Sequence, residues 1–182
     1  SYTNLLENKI KNYTKSKYVI CTNSGTSALH LALIANDIKK DDEVFIPAFN
    51  FVSSANAVKY CNAIPHFVEI EKETLGVDPI KLKEYIKKNF IFKNKKLINK
   101  KTKKLVKAIV LVYSYGHPPK IKDLLKICNS YKLTVIEDAA EALGSFYKDK
   151  HAGTFGKVGI LSFNGNKIIT SGAGGAIMTN DK

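Results

Sequence analysis

The sequence predicts an α/β fold built around a mostly parallel sheet, and two observations support this. Short apolar runs rich in Val, Ile and Phe, bounded by turn-forming residues, alternate along the chain with stretches of helical apolar spacing. Such alternation is typical of strands joined by crossover helices. The 182 residues, 45% of them hydrophobic and 25% charged, are also ordinary in number and composition for one globular domain.

The short apolar runs predict the strands, and the stretches of helical apolar spacing predict the helices. Strands are predicted at residues 43–46, 65–70, 107–112, 133–137, 159–163 and 176–179. Helices are predicted at residues 26–34, 52–60, 79–88 and 121–131. The last helix begins after two prolines and carries apolar residues at helical spacing: Ile121, Leu124, Leu125 and Cys128. The lysine-rich stretch 93–104 is predicted to be an exposed loop.

The end of the chain suggests a fragment of a larger protein. The most glycine-rich segment, residues 171–175, lies close to the last residue, and the strand predicted at 176–179 runs almost to the end. Because domains seldom end in the middle of a sheet, we expect residues 1–182 to form one domain of a longer chain.

Charge and composition restrict the possible partners. Of the net charge of +13, much comes from twelve lysines between Lys81 and Lys107, where Glu84 is the one acidic residue. A nucleic-acid-binding protein is one interpretation of such a cluster. The cluster contains no arginine for base readout and few aromatic residues for stacking, so a solvated lysine face is favoured and no nucleic acid is expected.

Two further features concern the location of the protein. The sequence has no run of about 18 apolar residues, so no membrane contact is expected. The three cysteines have neither a CxxC pair nor a spacing typical of metal ligands, so no metal is expected. Scattered thiols fit a reducing compartment, and we expect the protein to be cytoplasmic.

Four segments carry residues suited to chemistry, and the first two are a hydroxyl-rich turn and an acidic strand end. Residues 23–29, NSGTSAL, form a strand-to-helix turn whose free N–H groups and hydroxyls suit a phosphate. The same residues would also serve as a plain N-cap. Glu137 and Asp138 end an apolar strand, where a carboxylate could hold a protonated ring nitrogen, or simply cap the next helix.

The other two segments are a lysine among small residues and a glycine cluster. Lys167 lies in the run SFNGNKII, and a buried lysine is suited to Schiff-base chemistry. An exposed turn lysine is the alternative interpretation. The cluster 172–175 does not match the GxGxxG pattern and more simply lets the backbone pass close to a neighbour or ligand.

Taken in order, these four segments resemble those of the fold-type-I aminotransferases, specifically the DegT family of sugar aminotransferases. The resemblance covers nearly the whole chain through NSGTSALHLAL, DEVFIPAFNFVSSANAV, EDAAEALGS and SFNGNKIITSGAGG. Within the family, the sequence is most similar to the legionaminic-acid-pathway and bacillosamine-type enzymes. The resemblance implies a three-layer sandwich with a mostly parallel central sheet, the large domain of a pyridoxal-phosphate (PLP) transferase, without its C-terminal small domain.

The resemblance also implies a role for each matching residue. Lys167 would form the Schiff base with PLP and move the substrate proton, and Asp138 would pair with the pyridinium nitrogen. Phe51 would stack on the ring. Glu141 would lie near the phenolic oxygen, although many relatives have Gln there. The remaining residues would bind the phosphate or lie near the lysine: Gly25, Thr26, Ser27 and Ser162 for the phosphate, and Asn164 beside Lys167.

The activity implied is a transamination in two halves. Glutamate would donate its amino group, and a 4-keto-6-deoxy hexose on a nucleoside diphosphate would receive it, for bacterial surface glycans. The family further implies a homodimer with shared active sites. A sister dehydratase is less favoured, because those relatives have His in place of the lysine. A non-catalytic PLP-binding or regulatory module, or an inactive fragment, is the remaining alternative.

Overall fold

The computed structural model describes residues 1–181 and has helices on both faces of one central sheet, which confirms the predicted fold class. The helices are α1 (Tyr2–Thr14), α2 (Gly25–Ala35), α3 (Val52–Tyr60), α4 (Pro79–Asn89) and α5 (Ile121–Tyr131), with a 3-10 turn at Ser114–Gly116. The strands are β1 (Tyr18–Thr22), β2 (Glu43–Pro47), β3 (Ile64–Val68), β4 (Phe90–Lys93), β5 (Lys96–Asn99), β6 (Leu105–Val112), β7 (Thr134–Asp138), β8 (Phe146–Tyr147), β9 (Lys150–His151), β10 (Val158–Ser162) and β11 (Gly175–Thr179).

The nine-stranded sheet is parallel through its middle. Its main order is β1-β11-β10-β7-β6-β2-β3, in which the five strands from β10 to β3 are parallel and β11 is antiparallel to both neighbours. The hairpin of β4 and β5 attaches to β6, while β8 and β9 pair separately. Because parallel strands end at the same edge, the loops that follow them meet there.

Two apolar layers cover the two faces of the sheet. Successive side chains of β6 alternate between them: Ile109 and Leu111 belong to the layer beneath α4 and α5, whereas Ala108 and Val110 belong to the layer beneath α2 and α3. A strand buried on both faces consists mostly of consecutive apolar residues, and for this reason β6 is recognisable in the sequence. The sheet is therefore a rigid support for the loops at its edge.

The predicted loop at 93–104 is wrong in part, because Lys96–Asn99 form β5. In this strand Leu97 and Asn99 point inward and are buried, whereas Lys96 is exposed. The Asn99 amide donates to Glu43 Oε2 at 2.9 Å, which ties the hairpin to the amino end of β2. With only four residues and flanking lysines, the period of two was too short to be recognised.

Two elements at the start of the chain were not predicted. Helix α1 buries Ile10 and Thr14 and is otherwise largely exposed, so it lacks a clear apolar stripe. Strand β1 exists because β11 lies beside it. All six strands and four helices that were predicted agree with the structure to within about two residues at each end. Within residues 1–181, no helix has both the length and the apolar character needed to cross a membrane.

Candidate active site

A cleft of about 340 Å³ opens at the carboxyl edge of the parallel strands. This volume lies in the range of small-molecule sites, about 300–1,000 Å³. Its walls are the start of α2, the segment between β2 and α3, the turns after β6 and β7, and the loop after β10. Eight of the predicted site residues line it: Gly25, Thr26, Phe51, Asp138, Glu141, Ser162, Asn164 and Lys167.

The start of α2 forms a cup on one side of the cleft, and free N–H groups at a helix start suit an anion. Ser24 is the N-cap, and its hydroxyl accepts a hydrogen bond from the Ser27 N–H at 3.1 Å. Ser27 Oγ lies 3.0 Å from Ser24 Oγ, so Ser27 supports the cap and does not line the cleft. A Cβ at Gly25 would come within 2.8 Å of Ser162 Cβ. Glycine therefore lets the positive end of α2 approach the Ser162 hydroxyl closely.

The glycine cluster after Lys167 serves close packing, as predicted. A Cβ at Gly175 would lie 2.6 Å from the backbone carbonyl of Ser24, so a larger residue would push the chain away from the cap. The backbone of Gly174 also pairs with Asn23, its N–H donating to the Asn23 carbonyl at 3.1 Å. The cluster thus fixes the loop after β10 against the start of α2.

Asp138 ends β7 and lies at the floor of the cleft. It is 6% exposed, and it accepts hydrogen bonds from Ser54 Oγ at 2.9 Å and from the Ala140 N–H at 3.3 Å. Burial raises the pKa of the Asp138 carboxyl, while the bonds from Ser54 and Ala140 act in the opposite direction. The cap interpretation does not account for this residue, because no helix follows β7 directly.

Lys167 reaches into the cleft from the loop after β10. Its side chain is 10% exposed, whereas the other lysines in ion pairs have side chains 25–78% exposed, so it is not an ordinary turn lysine. Its Nζ lies 2.9 Å from Glu141 Oε1 and 5.6 Å from the centre of the Phe51 ring. The cleft therefore brings an amine, a carboxylate and an aromatic face together.

The turn after β6 holds Glu141 in place. The Tyr115 N–H donates to Glu141 Oε2 at 3.1 Å, and Tyr115 adopts φ 53°, a left-handed conformation in which its amide is aimed at the carboxylate. Next to it, Ser114 lines the cleft, and its buried hydroxyl has no hydrogen-bond partner among the described residues.

Glu137, the residue before Asp138, points to the opposite side of the strand. Its carboxylate accepts the Tyr113 hydroxyl and the N–H groups of Gly153 (3.0 Å) and Gly156. Burial raises the pKa of Glu137, although these hydrogen bonds act in the opposite direction. Burial likewise raises the pKa of the Tyr113 hydroxyl. The pair joins the loop at 152–156 to the sheet, so Glu137 has a structural role.

Three residues of the site were not singled out from the sequence: Ser54, Ser114 and Tyr115. Ser54 precedes Asp138 by 84 residues, and no local pattern indicates a contact at that distance. The signal that was available is weak, namely a serine one turn after Phe51 on a helix predicted to start at the cleft edge.

The residues present fit pyridoxal phosphate. A glycine-lined helix start with Thr26 and Ser162 offers N–H and hydroxyl donors to a phosphate. Asp138 offers a buried carboxylate to a ring nitrogen, Phe51 a flat apolar surface, and Lys167 an amine suited to covalent attachment. The close approach that glycine permits at position 25 is a further sign of a preformed site.

Comparisons with known proteins agree with this assignment. The model of the DegT/DnrJ/EryC1/StrS aminotransferase family matches residues 1–182. The GDP-perosamine synthase of Escherichia coli O157:H7 is 40% identical over 182 residues, which are 100% of this chain and 46% of that protein. The chain therefore spans slightly less than half the length of this relative.

Solved structures give the same result. A DegT DnrJ EryC1 StrS aminotransferase from Brucella abortus matches with a TM-score of 0.88 and 30% identity, over 98% of this chain and 46% of that one. A GDP-4-keto-6-deoxymannose-3-dehydratase with a trapped PLP-glutamate geminal diamine matches with a TM-score of 0.84 and 28% identity, over 100% of this chain and 44% of that one. These matches also confirm the fold-type-I architecture that the sequence predicted. The chain thus belongs to the DegT/DnrJ/EryC1/StrS aminotransferase family of PLP-dependent sugar aminotransferases.

Proposed function

We propose that this chain is the PLP-binding large domain of an aminotransferase that moves the amino group of glutamate onto a nucleoside-diphosphate-linked 4-keto-6-deoxy sugar. The observation that carries the proposal is the shielded Lys167, whose Nζ faces Glu141 and Phe51 in a cleft floored by Asp138. A small domain outside this chain would complete the protein, as a cytoplasmic homodimer that makes sugars for bacterial surface glycans.

The residues of the cleft would hold the cofactor at four points. Gly25, Thr26 and Ser162 would bind the phosphate, with Ser27 supporting the Ser24 cap behind them and Asn164 at the cleft wall. Phe51 would cover the ring face. Asp138 would hold the ring nitrogen and Glu141 the phenolic oxygen. When bound, PLP acts as an electron sink for the substrate carbon.

Lys167 would do the proton chemistry. Its Nζ would attach the cofactor and, once an amine substrate has taken its place, would accept and return the proton at the substrate carbon. Since the side chain is 10% exposed, bulk water has little access to this proton. Glu141 and the Tyr115 N–H that holds it would keep the amine oriented toward the ring.

The choice of substrates rests on relatives. The E. coli relative is by name a GDP-perosamine synthase. For this reason, the first acceptor to test is a GDP-linked keto sugar. The dehydratase structure contains glutamate joined to PLP, which supports glutamate as the donor. A dehydratase activity of this chain remains the less favoured alternative, because the family resemblance implies His at the lysine position of the dehydratases and this chain has Lys167 there.

The experiment that tests the proposal is an absorbance spectrum of the full-length protein with PLP, before and after borohydride reduction. We expect a violet absorption band that reduction fixes to a peptide containing Lys167 and that glutamate bleaches. The exposed lysine variant Lys157→Ala should keep the band, and Lys167→Ala should lose both band and turnover. A full-length protein without the band would refute the cofactor assignment. A band that glutamate leaves unchanged would favour a non-catalytic module.

A further inference from the structure

Ser54 is completely buried, and its side chain hydrogen-bonds to the carboxylate at the cleft floor. It is 0% exposed, and its hydroxyl donates to Asp138 Oδ2 at 2.9 Å. The bond crosses between α3 and β7, two elements far apart in the chain. A buried hydroxyl in the first turn of a helix usually bonds to a nearby backbone group, so this tertiary contact calls for a specific reason.

The carboxylate needs this donor because it has few others. Ionised, it can accept about four hydrogen bonds, and the described residues supply two, from Ser54 at 2.9 Å and from the Ala140 N–H at 3.3 Å. The shorter bond restricts rotation of the carboxylate about its last side-chain bond. The remaining lone pairs are then available to the cleft, which Asp138 lines.

The position of Ser54 on α3 couples two parts of the site. Phe51 is the N-cap of α3, and the Ser54 N–H donates to the Phe51 carbonyl at 3.0 Å. The same turn therefore carries the aromatic ring on one side and the hydroxyl that holds Asp138 on the other. The positive end of the helix also favours a negative charge beside it.

We infer that Ser54 is a positioning residue that holds the Asp138 carboxylate in the orientation needed to receive the cofactor ring lying on Phe51. This inference rests on the proposed function. It makes the first turn of α3 the element that sets the distance between the ring face and the group that binds the ring nitrogen. Ser54 itself touches neither substrate nor cofactor.

A double-mutant cycle tests the inference in the full-length protein. The dissociation constant for PLP is measured by absorbance titration for wild type, Ser54→Ala, Asp138→Asn and the double variant. We expect Ser54→Ala to weaken binding roughly tenfold, the value of one hydrogen bond to a charged group. In the Asp138→Asn background the same change should cost no more than about twofold, because the residue through which Ser54 acts has been altered.

Two control variants separate the possible failures. Ser130→Ala removes an exposed helix hydroxyl and should leave PLP affinity unchanged. Ser54→Cys keeps the side-chain shape with a weaker donor, and serves if Ser54→Ala does not fold. Equal affinity of wild type with Ser54→Ala or Ser54→Cys, or an equal loss in both backgrounds, would overturn the inference. A wild-type protein that does not bind PLP at all would instead overturn the proposed function.

Discussion

The amino and carboxyl edges of the parallel strands each bury a carboxylate, but they surround it differently. At the amino edge, Glu43 begins β2 and is 1% exposed. Its oxygens lie 2.8 Å from His66 Nδ1, 2.9 Å from the Asn99 amide nitrogen and 2.5 Å from Thr102 Oγ1. This carboxylate ties β2, β3 and the β4–β5 hairpin together, and its lone pairs are largely used.

At the carboxyl edge, Asp138 is nearly as buried but has fewer donors. Ser54 and the Ala140 N–H are its hydrogen-bond partners, and the rest of its capacity is directed at a cleft. Burial of a carboxylate without enough partners is costly, and proteins retain it where a ligand completes the set. We therefore expect the number of hydrogen-bond donors around a buried carboxylate, rather than its burial, to distinguish a structural carboxylate from one that binds a ligand.

The largest effect is expected at the saturated carboxylate. Glu43→Ala would leave the buried Asn99 amide and the Thr102 hydroxyl without this acceptor, and we expect the free energy of unfolding to fall by about 3 kcal/mol. Urea denaturation measures this, with Glu69→Ala as the control, since that side chain is 70% exposed and should change stability by less than about 0.5 kcal/mol. A folded Glu43→Ala protein with strongly weakened PLP binding would contradict the distinction between the two edges.

The opposite pattern, weaker PLP binding without a loss of stability, is expected at Asp138, whose hydrogen-bonding capacity the described residues do not fill. Asp138→Asn should weaken PLP binding by roughly tenfold to a hundredfold, the loss of a charged hydrogen bond to the ring. Its stability should be unchanged or higher at neutral pH. Because burial raises the pKa of Asp138 above its unfolded value, wild type loses stability as pH rises through the folded pKa, and Asn does not titrate.

Urea denaturation between pH 5 and 8, together with a PLP titration, measures both quantities. Asp123→Asn, at an exposed position on α5, provides the matched control and should leave PLP affinity unchanged and lower stability by no more than about 1 kcal/mol. If Asp138→Asn proved less stable than wild type across this range, Asp138 would be a structural group like Glu43.

The smallest effect is expected at a third carboxylate, that of Glu71 in the loop after β3. Burial alone would raise its pKa, but hydrogen bonds from the Thr74 hydroxyl and from the N–H groups of Glu73 and Thr74, with Lys120 nearby, lower the pKa to about 2. Its contribution to stability is therefore present above the unfolded pKa and disappears as pH falls toward 2.

We expect Glu71→Gln to lower the free energy of unfolding by about 1 kcal/mol at pH 7, with the difference vanishing near pH 2. Urea denaturation at pH 7, 4 and 2.5 follows this trend, and Glu73→Gln, at an exposed position, should change stability by less than about 0.5 kcal/mol. A difference between wild type and Glu71→Gln that grew as the pH fell would show that the sign is wrong.

The sequence predicted the elements whose signal is local. Strand β6 was recognisable because eight consecutive residues are mostly apolar, and α5 because its apolar residues recur at helical spacing after two prolines. The sequence did not predict β5 and β1. Both are short, and they are strands because partner strands lie beside them. Lys167 and Asp138 were recognisable for a related reason, since each is out of place in its own run.

The sequence by itself determined the layered fold, the anion cup at α2 and the residue types of the cleft, since backbone geometry, apolar period and helix capping act over a few neighbouring residues. Only the tertiary structure decided which carboxylates are saturated. The donors of Glu43 come from residues 23–59 positions later, and the side-chain donor of Asp138 comes from 84 positions earlier. Hydrogen bonds reach about 3 Å through space, so a chemical environment assembled by folding has no local signature in the chain.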